Sequence, residues 1–81
     1  MSELGFRVGM KVEWRYYSTE VEAKQAAAKA IVDARRKLEQ GYDFGYQSPG
    51  SIRKLHSSKV SGLDPEALGD YEGDVYEVVF P

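Results

Sequence analysis

The first pattern along the chain is a strict alternation of apolar and polar residues over positions 6–16. The odd positions carry charged side chains apart from Gly9. The even positions are all apolar: Phe6, Val8, Met10, Val12, Trp14 and Tyr16. Because successive side chains of a strand point to opposite faces, this pattern predicts one long, half-buried β-strand, with Gly9 marking a bulge.

A long amphipathic helix is predicted directly after this strand. Thr19 followed by Glu22 is a capping-box pattern, no Gly or Pro interrupts the run to Gln40, and Gly41 suits the left-handed position after a helix. One stripe of the helix is apolar and mostly alanine, which predicts close packing on a sheet: Ala23, Ala27, Ala30, Ile31, Ala34 and Leu38. Three apolar residues lie off this stripe, and we expect them to be exposed or to contact a second chain: Val21, Ala28 and Val32.

The second half of the chain contains turn signals and two shorter strands. Ser48-Pro49-Gly50-Ser51 has the residue order of a type II turn, and positions 52–57 predict a strand. Positions 64–69 predict one helical turn, with Asp64 as N-cap and Gly69 as its stop. Positions 74–80 predict the last strand, with Tyr76, Val78 and Phe80 on one face and Val75, Glu77 and Val79 on the other. Apolar residues on both faces favour a central strand, or an outer face that a partner covers.

These elements together predict a small α+β domain spanning residues 1–81. The order is β-α-β-β, which gives a three-stranded antiparallel sheet with the last strand in the middle and one long helix packed on one face. Tyr42, Phe44 and Tyr46 also alternate. A short fourth strand over residues 42–47 is therefore an alternative.

Composition adds bounds on compartment and on charge. The chain has no cysteine and no apolar run of membrane-spanning length, so we expect a soluble, cytoplasmic protein that binds no membrane. Its net charge is only −2, yet residues 60–81 carry six acids and no Lys or Arg, whereas residues 1–59 carry eleven bases against seven acids. This asymmetry favours an oriented encounter with a charged partner.

No residue pattern in the chain indicates catalysis or metal binding. His56 is the only histidine, and its serine neighbours in sequence do not by adjacency form a nucleophile–base pair. The acidic run at residues 70–74 places its glycine at the wrong position for a calcium loop. We therefore predict no catalytic residue, no metal site and no cofactor.

The candidate binding site is the aromatic segment behind the helix. Tyr42, Phe44 and Tyr46 lie in sequence between two basic pairs, Arg35 with Arg36 and Arg53 with Lys54, and Lys37 and Lys59 add to the basic groups on either side. Two interpretations stay open for the rings: they contact a partner, or they close one end of a thin core.

These features favour a non-enzymatic protein-binding module that modulates a partner by occlusion or bridging, in the manner of a small accessory protein of a phage or mobile element. The partner-binding residues would be the three rings and the two basic pairs. The alternative is a single-stranded nucleic-acid binder, because cations that follow phosphates and rings that stack on bases form such sites. A homodimer through the sheet face that carries Val75 and Val79 is a further hypothesis.

Overall fold

The computed structural model describes residues 3–81 as a four-stranded sheet with one long helix. The elements are β1 (Glu3–Val8), β2 (Glu13–Tyr17), α1 (Glu20–Glu39), β3 (Ile52–His56), a 3₁₀ turn (Ser57–Lys59), α2 (Pro65–Leu68) and β4 (Asp74–Phe80). The strand order is β1-β2-β4-β3, and all neighbours are antiparallel. The predicted α+β class is confirmed, and so is the central position of the last strand.

Both ends of α1 follow the signals in the sequence. The Thr19 hydroxyl accepts a hydrogen bond from the Glu22 backbone N–H at 3.3 Å and donates one to the Glu22 carboxylate at 2.8 Å. At the other end, Gly41 has φ +86°, and the Tyr42 N–H bonds to the Lys37 carbonyl at 2.9 Å. These are the N-cap and the Schellman motif expected of a helix that begins and ends at these residues.

The helix packs across β4 through its alanine stripe. Ala23, Ala26, Ala27 and Ala30 form one buried cluster with Val78 and Phe80. The predicted stripe is wrong at two positions, because Ile31 and Leu38 are 42% and 57% exposed. Neither helix in the described residues is long and apolar enough to cross a bilayer.

The single long strand predicted over residues 6–16 is wrong, because the chain turns back within it. The Gly9 N–H bonds to the Val12 carbonyl at 2.8 Å, which closes a hairpin between β1 and β2. The fourth strand of the sheet therefore comes from this hairpin. Phe6, Val8 and Met10 were expected in the core but are 55%, 69% and 99% exposed.

The sheet face opposite α1 is largely covered by the chain itself. The connection from β3 to β4 lies over it, and its Val60, Leu63 and Leu68 pack against buried Leu4, Tyr16 and Val75. Val75 is fully buried and Val79 is 7% exposed. The homodimer hypothesis assumed that Val75 and Val79 are exposed on the outer face of the sheet, and this assumption is wrong.

The segment between α1 and β3 is a loop, so the alternative of a strand at residues 42–47 is also wrong. Gly45 has φ +66°, a left-handed conformation that interrupts an extended strand. The type II turn that follows is confirmed: Gly50 has φ +93°, and the Ser51 N–H bonds to the Ser48 carbonyl at 3.1 Å.

Candidate functional site

A groove remains open on the sheet face opposite α1, along β2 and β4. It consists of three adjoining depressions. The first has a volume of about 300 Å³ and is lined by the β1–β2 turn and by the aromatic loop, residues 42–47. It shares Trp14 and Gln47 with the second, which has a volume of about 340 Å³. The third, of about 130 Å³, shares Arg7, Arg53 and Glu77 with the second. One continuous groove therefore runs from an apolar end to a charged end.

The apolar end is formed by Met10, Trp14, Phe44 and Tyr46. Phe44 is 6% exposed and belongs to a buried cluster with Val12, Ala34 and Val79. Tyr46, two residues later, makes no hydrogen bond within the described residues and is fully exposed, as Met10 is on the opposite rim. Large apolar and aromatic side chains exposed around a concavity are typical of protein-binding surfaces.

The loop that carries Tyr46 is tied to the β1–β2 turn. The Tyr42 hydroxyl donates a hydrogen bond to the Lys11 carbonyl at 3.2 Å, and the Lys11 ammonium lies 3.5 Å from the Asp43 carboxylate. The other Asp43 oxygen accepts a bond from the Gly45 N–H at 2.8 Å. Tyr46 is therefore presented by a braced loop.

The interactions of the Asp43 carboxylate with the Gly45 N–H and the Lys11 ammonium are expected to depend on pH. The Gly45 N–H, followed by the nearby Lys11 ammonium, lowers the pKa of the Asp43 carboxyl. A lowered pKa means that the carboxylate supports the fold above its unfolded value of about 4, and that this support is lost as pH falls through the folded value. An NMR titration of the Gly45 amide should show its resonance moving below pH 4, and Asp43→Asn should abolish that movement. A Gly45 resonance that titrates equally in the variant would contradict the assignment.

Trp14 forms the middle of the groove and is held from two sides. The Arg7 guanidinium lies 4.3 Å from its ring centroid, a cation–π geometry. On another side the indole lies against Gly9, where an added Cβ would be only 2.6 Å from Cζ3. The glycine leaves the space that the ring occupies, so Trp14 offers a positioned aromatic surface.

The charged end contains a nearly buried carboxylate. Glu77 is 5% exposed, and its oxygens accept a bond from the Tyr16 hydroxyl at 3.0 Å and lie 3.2 and 3.4 Å from Arg53 Nη2. Burial raises the pKa of Tyr16, opposed by the nearby Arg7 guanidinium and reinforced by Glu77. The Tyr16 hydroxyl is therefore a neutral donor to this carboxylate.

Arg7 and Lys59 add further positive charge to this end. With Arg53 they make three cations in the depression that holds the one carboxylate of Glu77, and Ser61 also lines it. In the described part of the chain neither Arg7 nor Lys59 forms an ion pair. The charged end therefore keeps an excess of positive charge.

The structure brings together only part of the site expected from the sequence. Tyr46 and Arg53 line the groove. Phe44 is a core residue, and Tyr42 packs at the end of α1, 4.9 Å from the Phe44 ring centroid and 5.1 Å from Lys37 Nζ. The core interpretation is therefore confirmed for Phe44, while partner contact by the exposed Tyr46 stays a prediction.

The basic pairs do not surround the rings. Lys54 is next to Arg53 in β3 and so points to the opposite face, where it pairs with Asp74 at 3.5 Å. Arg36 lies on the outer surface of α1 beside Lys29, and Arg35 is exposed on the same helix. We assign none of these three residues to the groove.

Sequence reasoning missed Arg7, Met10, Trp14 and Glu77 as groove residues. Met10 and Trp14 belonged to the alternating run and were interpreted as core. A hairpin signal was present, since Gly9 interrupts the run of charged odd positions, but it was interpreted as a bulge. Lys59 was expected beside the aromatic rings, but the folded β3–β4 connection brings it to the charged end of the groove instead.

Comparison of the chain with protein-family models, with curated proteins and with solved structures finds no match in any of the three.

Proposed function

We propose that this protein is a non-enzymatic binding module that holds a segment of a partner protein in the groove on the sheet face opposite α1. The observation that carries the proposal is the exposure of Met10 and Tyr46 on the two rims of an apolar depression whose floor includes Trp14. Aromatic residues and methionine are enriched at protein interfaces, and a positioned ring next to a pocket is a typical anchor site.

The rigidity of the site supports this function. Trp14 is wedged between Arg7 and Gly9, and the Tyr46 loop is tied to the β1–β2 turn through Lys11. A site whose side chains are already ordered loses less conformational entropy on binding, which leaves more of the contact energy as affinity. The module would act by occluding or bridging the bound segment.

The test compares partner capture by matched variants of the full chain. Met10→Ala with Tyr46→Ala should remove most of the captured partner, as measured by quantitative mass spectrometry against the wild-type chain. Val21→Ala with Val32→Ala is the control, because those residues are also exposed but lie on α1. Both double variants should melt close to the wild-type temperature, since exposed side chains contribute little to stability. Loss of capture in the α1 variant alone would transfer the contact to the helix and refute the groove.

A further inference from the structure

We infer that the segment bound in the groove is acidic and extended, with an apolar side chain at the apolar end and a carboxylate at the charged end. This inference rests on the proposed function and names the chemistry of its partner. It begins from the surplus of positive charge at the charged end. Arg53 compensates Glu77, while Arg7 and Lys59 face the same depression without a carboxylate partner among the described residues.

The environment of this charge favours an anionic side chain, which in a protein segment is a carboxylate. Arg7 is already oriented by the Trp14 ring, and the Tyr16 hydroxyl is engaged by Glu77. An incoming anion at this end would meet Arg7 and Lys59, with Ser61 beside them. Charge-assisted hydrogen bonds of this kind are stronger than neutral ones, and they discriminate against a ligand that lacks the charge.

The register of the sheet sets the spacing between the two anchor points. Arg7, Trp14 and Val79 form one cross-strand row, and Tyr16, Glu77 and Arg53 form the row two residues further along. The apolar end of the groove lies on the side of the Trp14 row that faces away from the Tyr16 row, and Val12 and Met10 line it. From the Tyr16 row past the Trp14 row to Val12 is two row spacings, about 14 Å along the strands, which an extended peptide spans with about four residues. An even spacing also keeps both side chains on one face of the peptide.

A nucleic acid fits the groove less well. The three cations are confined to one end of the groove, and the other end is lined mainly by apolar and aromatic side chains. The whole chain is also net negative, at −2. A sequence-independent phosphate binder instead depends on an uninterrupted positive surface.

The experiment is a selection from a random-peptide display library with the full chain as bait, followed by affinity measurements on selected peptides by fluorescence anisotropy. We expect the selected peptides to share a large apolar residue and an Asp or Glu about four positions apart. Lys59→Glu and Arg7→Gln should each weaken binding about tenfold or more, as expected for losing a close interfacial charge pair. Lys29→Glu and Arg36→Gln make the same charge changes on α1 and should leave affinity within about twofold.

A second set of measurements tests directly whether the acid of the peptide pairs with Lys59. Replacing the acid of the peptide by its amide should cost about as much as Lys59→Glu, and the amide peptide should no longer distinguish wild type from Lys59→Glu. Two outcomes would refute the acidic partner and leave the proposed function standing. In the first, the selected peptides lack a common acid. In the second, Lys59→Glu and Arg7→Gln have no effect on affinity, while Met10→Ala with Tyr46→Ala still abolishes binding. If the selected peptides bind all groove variants equally, or if no peptide is enriched, both fail.

Two other occupants have distinct outcomes. A labelled single-stranded oligothymidine should not bind; binding that competes with the peptides and falls steeply with salt would overturn the inference in favour of a nucleic acid. The chain alone should scatter light as a monomer at all concentrations. A dimer that Lys59→Glu dissociates would make a second copy, through its acidic residues 64–74, the occupant instead.

Discussion

Replacing Phe44 by alanine is expected to lower the free energy of unfolding by about 3–5 kcal/mol, the usual cost of deleting a buried phenyl ring. Phe44 is 6% exposed and packs in the cluster that joins α1 to the β1–β2 turn through Ala34 and Val12. An 81-residue domain is stabilised by only about 4–12 kcal/mol in total, so this loss is a large fraction. Thermal and urea unfolding measured by circular dichroism would determine it.

Tyr46 provides the matched control for this prediction. It is an aromatic residue of the same loop but is fully exposed, so Tyr46→Ala should change the unfolding free energy by no more than about 0.5 kcal/mol. Similar losses from the two variants would show that the loop packs differently from the structure described here. The pair of measurements separates the ring that builds the core from the ring that is free to bind.

Arg53→Ala is expected to destabilise the chain by about 3 kcal/mol, the lower end of the range for leaving a buried charge without its partner. The Glu77 carboxylate is 5% exposed and would keep only the Tyr16 hydroxyl as a donor among the bonds described above. We expect the lower end because the Arg53 side chain is 66% exposed, so water reaches that side of the carboxylate.

Lys54→Ala is the control for Arg53→Ala. Lys54 is the next residue of the same strand, and its partner Asp74 is half exposed, so this ion pair should be worth less than about 1 kcal/mol. Urea unfolding of Arg53→Ala, Glu77→Gln and the double variant would measure the coupling between the two side chains. Equal effects of Arg53→Ala and Lys54→Ala would mean that Glu77 does not depend on its guanidinium.

The elements with local signals could be predicted from the sequence. Which residues share a face of the sheet could not. Thr19 and Gly41 mark the helix ends because capping is determined by neighbouring residues, and the turn at Pro49–Gly50 is recognisable for the same reason. The hairpin was missed because apolar alternation continues through it. In the folded sheet Arg7 lies opposite Trp14 and Gly5 opposite Tyr16, so these odd positions of β1 share a face with the even positions of β2.

The candidate site was half predictable for a related reason. Phe44 and Tyr46 look equivalent in an alternating segment, but the left-handed Gly45 between them ends the alternation and sends one ring inward and one outward. The burial of Val75 depends on residues 60–68, which reach it only after the β3–β4 connection has folded over the sheet. Such contacts have no signature in a local window.

The central position of β4 has a consequence for how the chain acquires its structure. β2 and β3 do not pair with each other, and each is joined to the sheet through β4, with Trp14 opposite Val79 across most of the chain. During synthesis, the β1–β2 hairpin and α1 therefore leave the ribosome well before the strand that unites them. Sheets closed by such distant partners fold slowly compared with helical proteins. Until residues 74–80 emerge, the alanine stripe of α1 lacks Val78 and Phe80, the strand residues on which it packs, and the nascent chain exposes that apolar surface to proteases and aggregation.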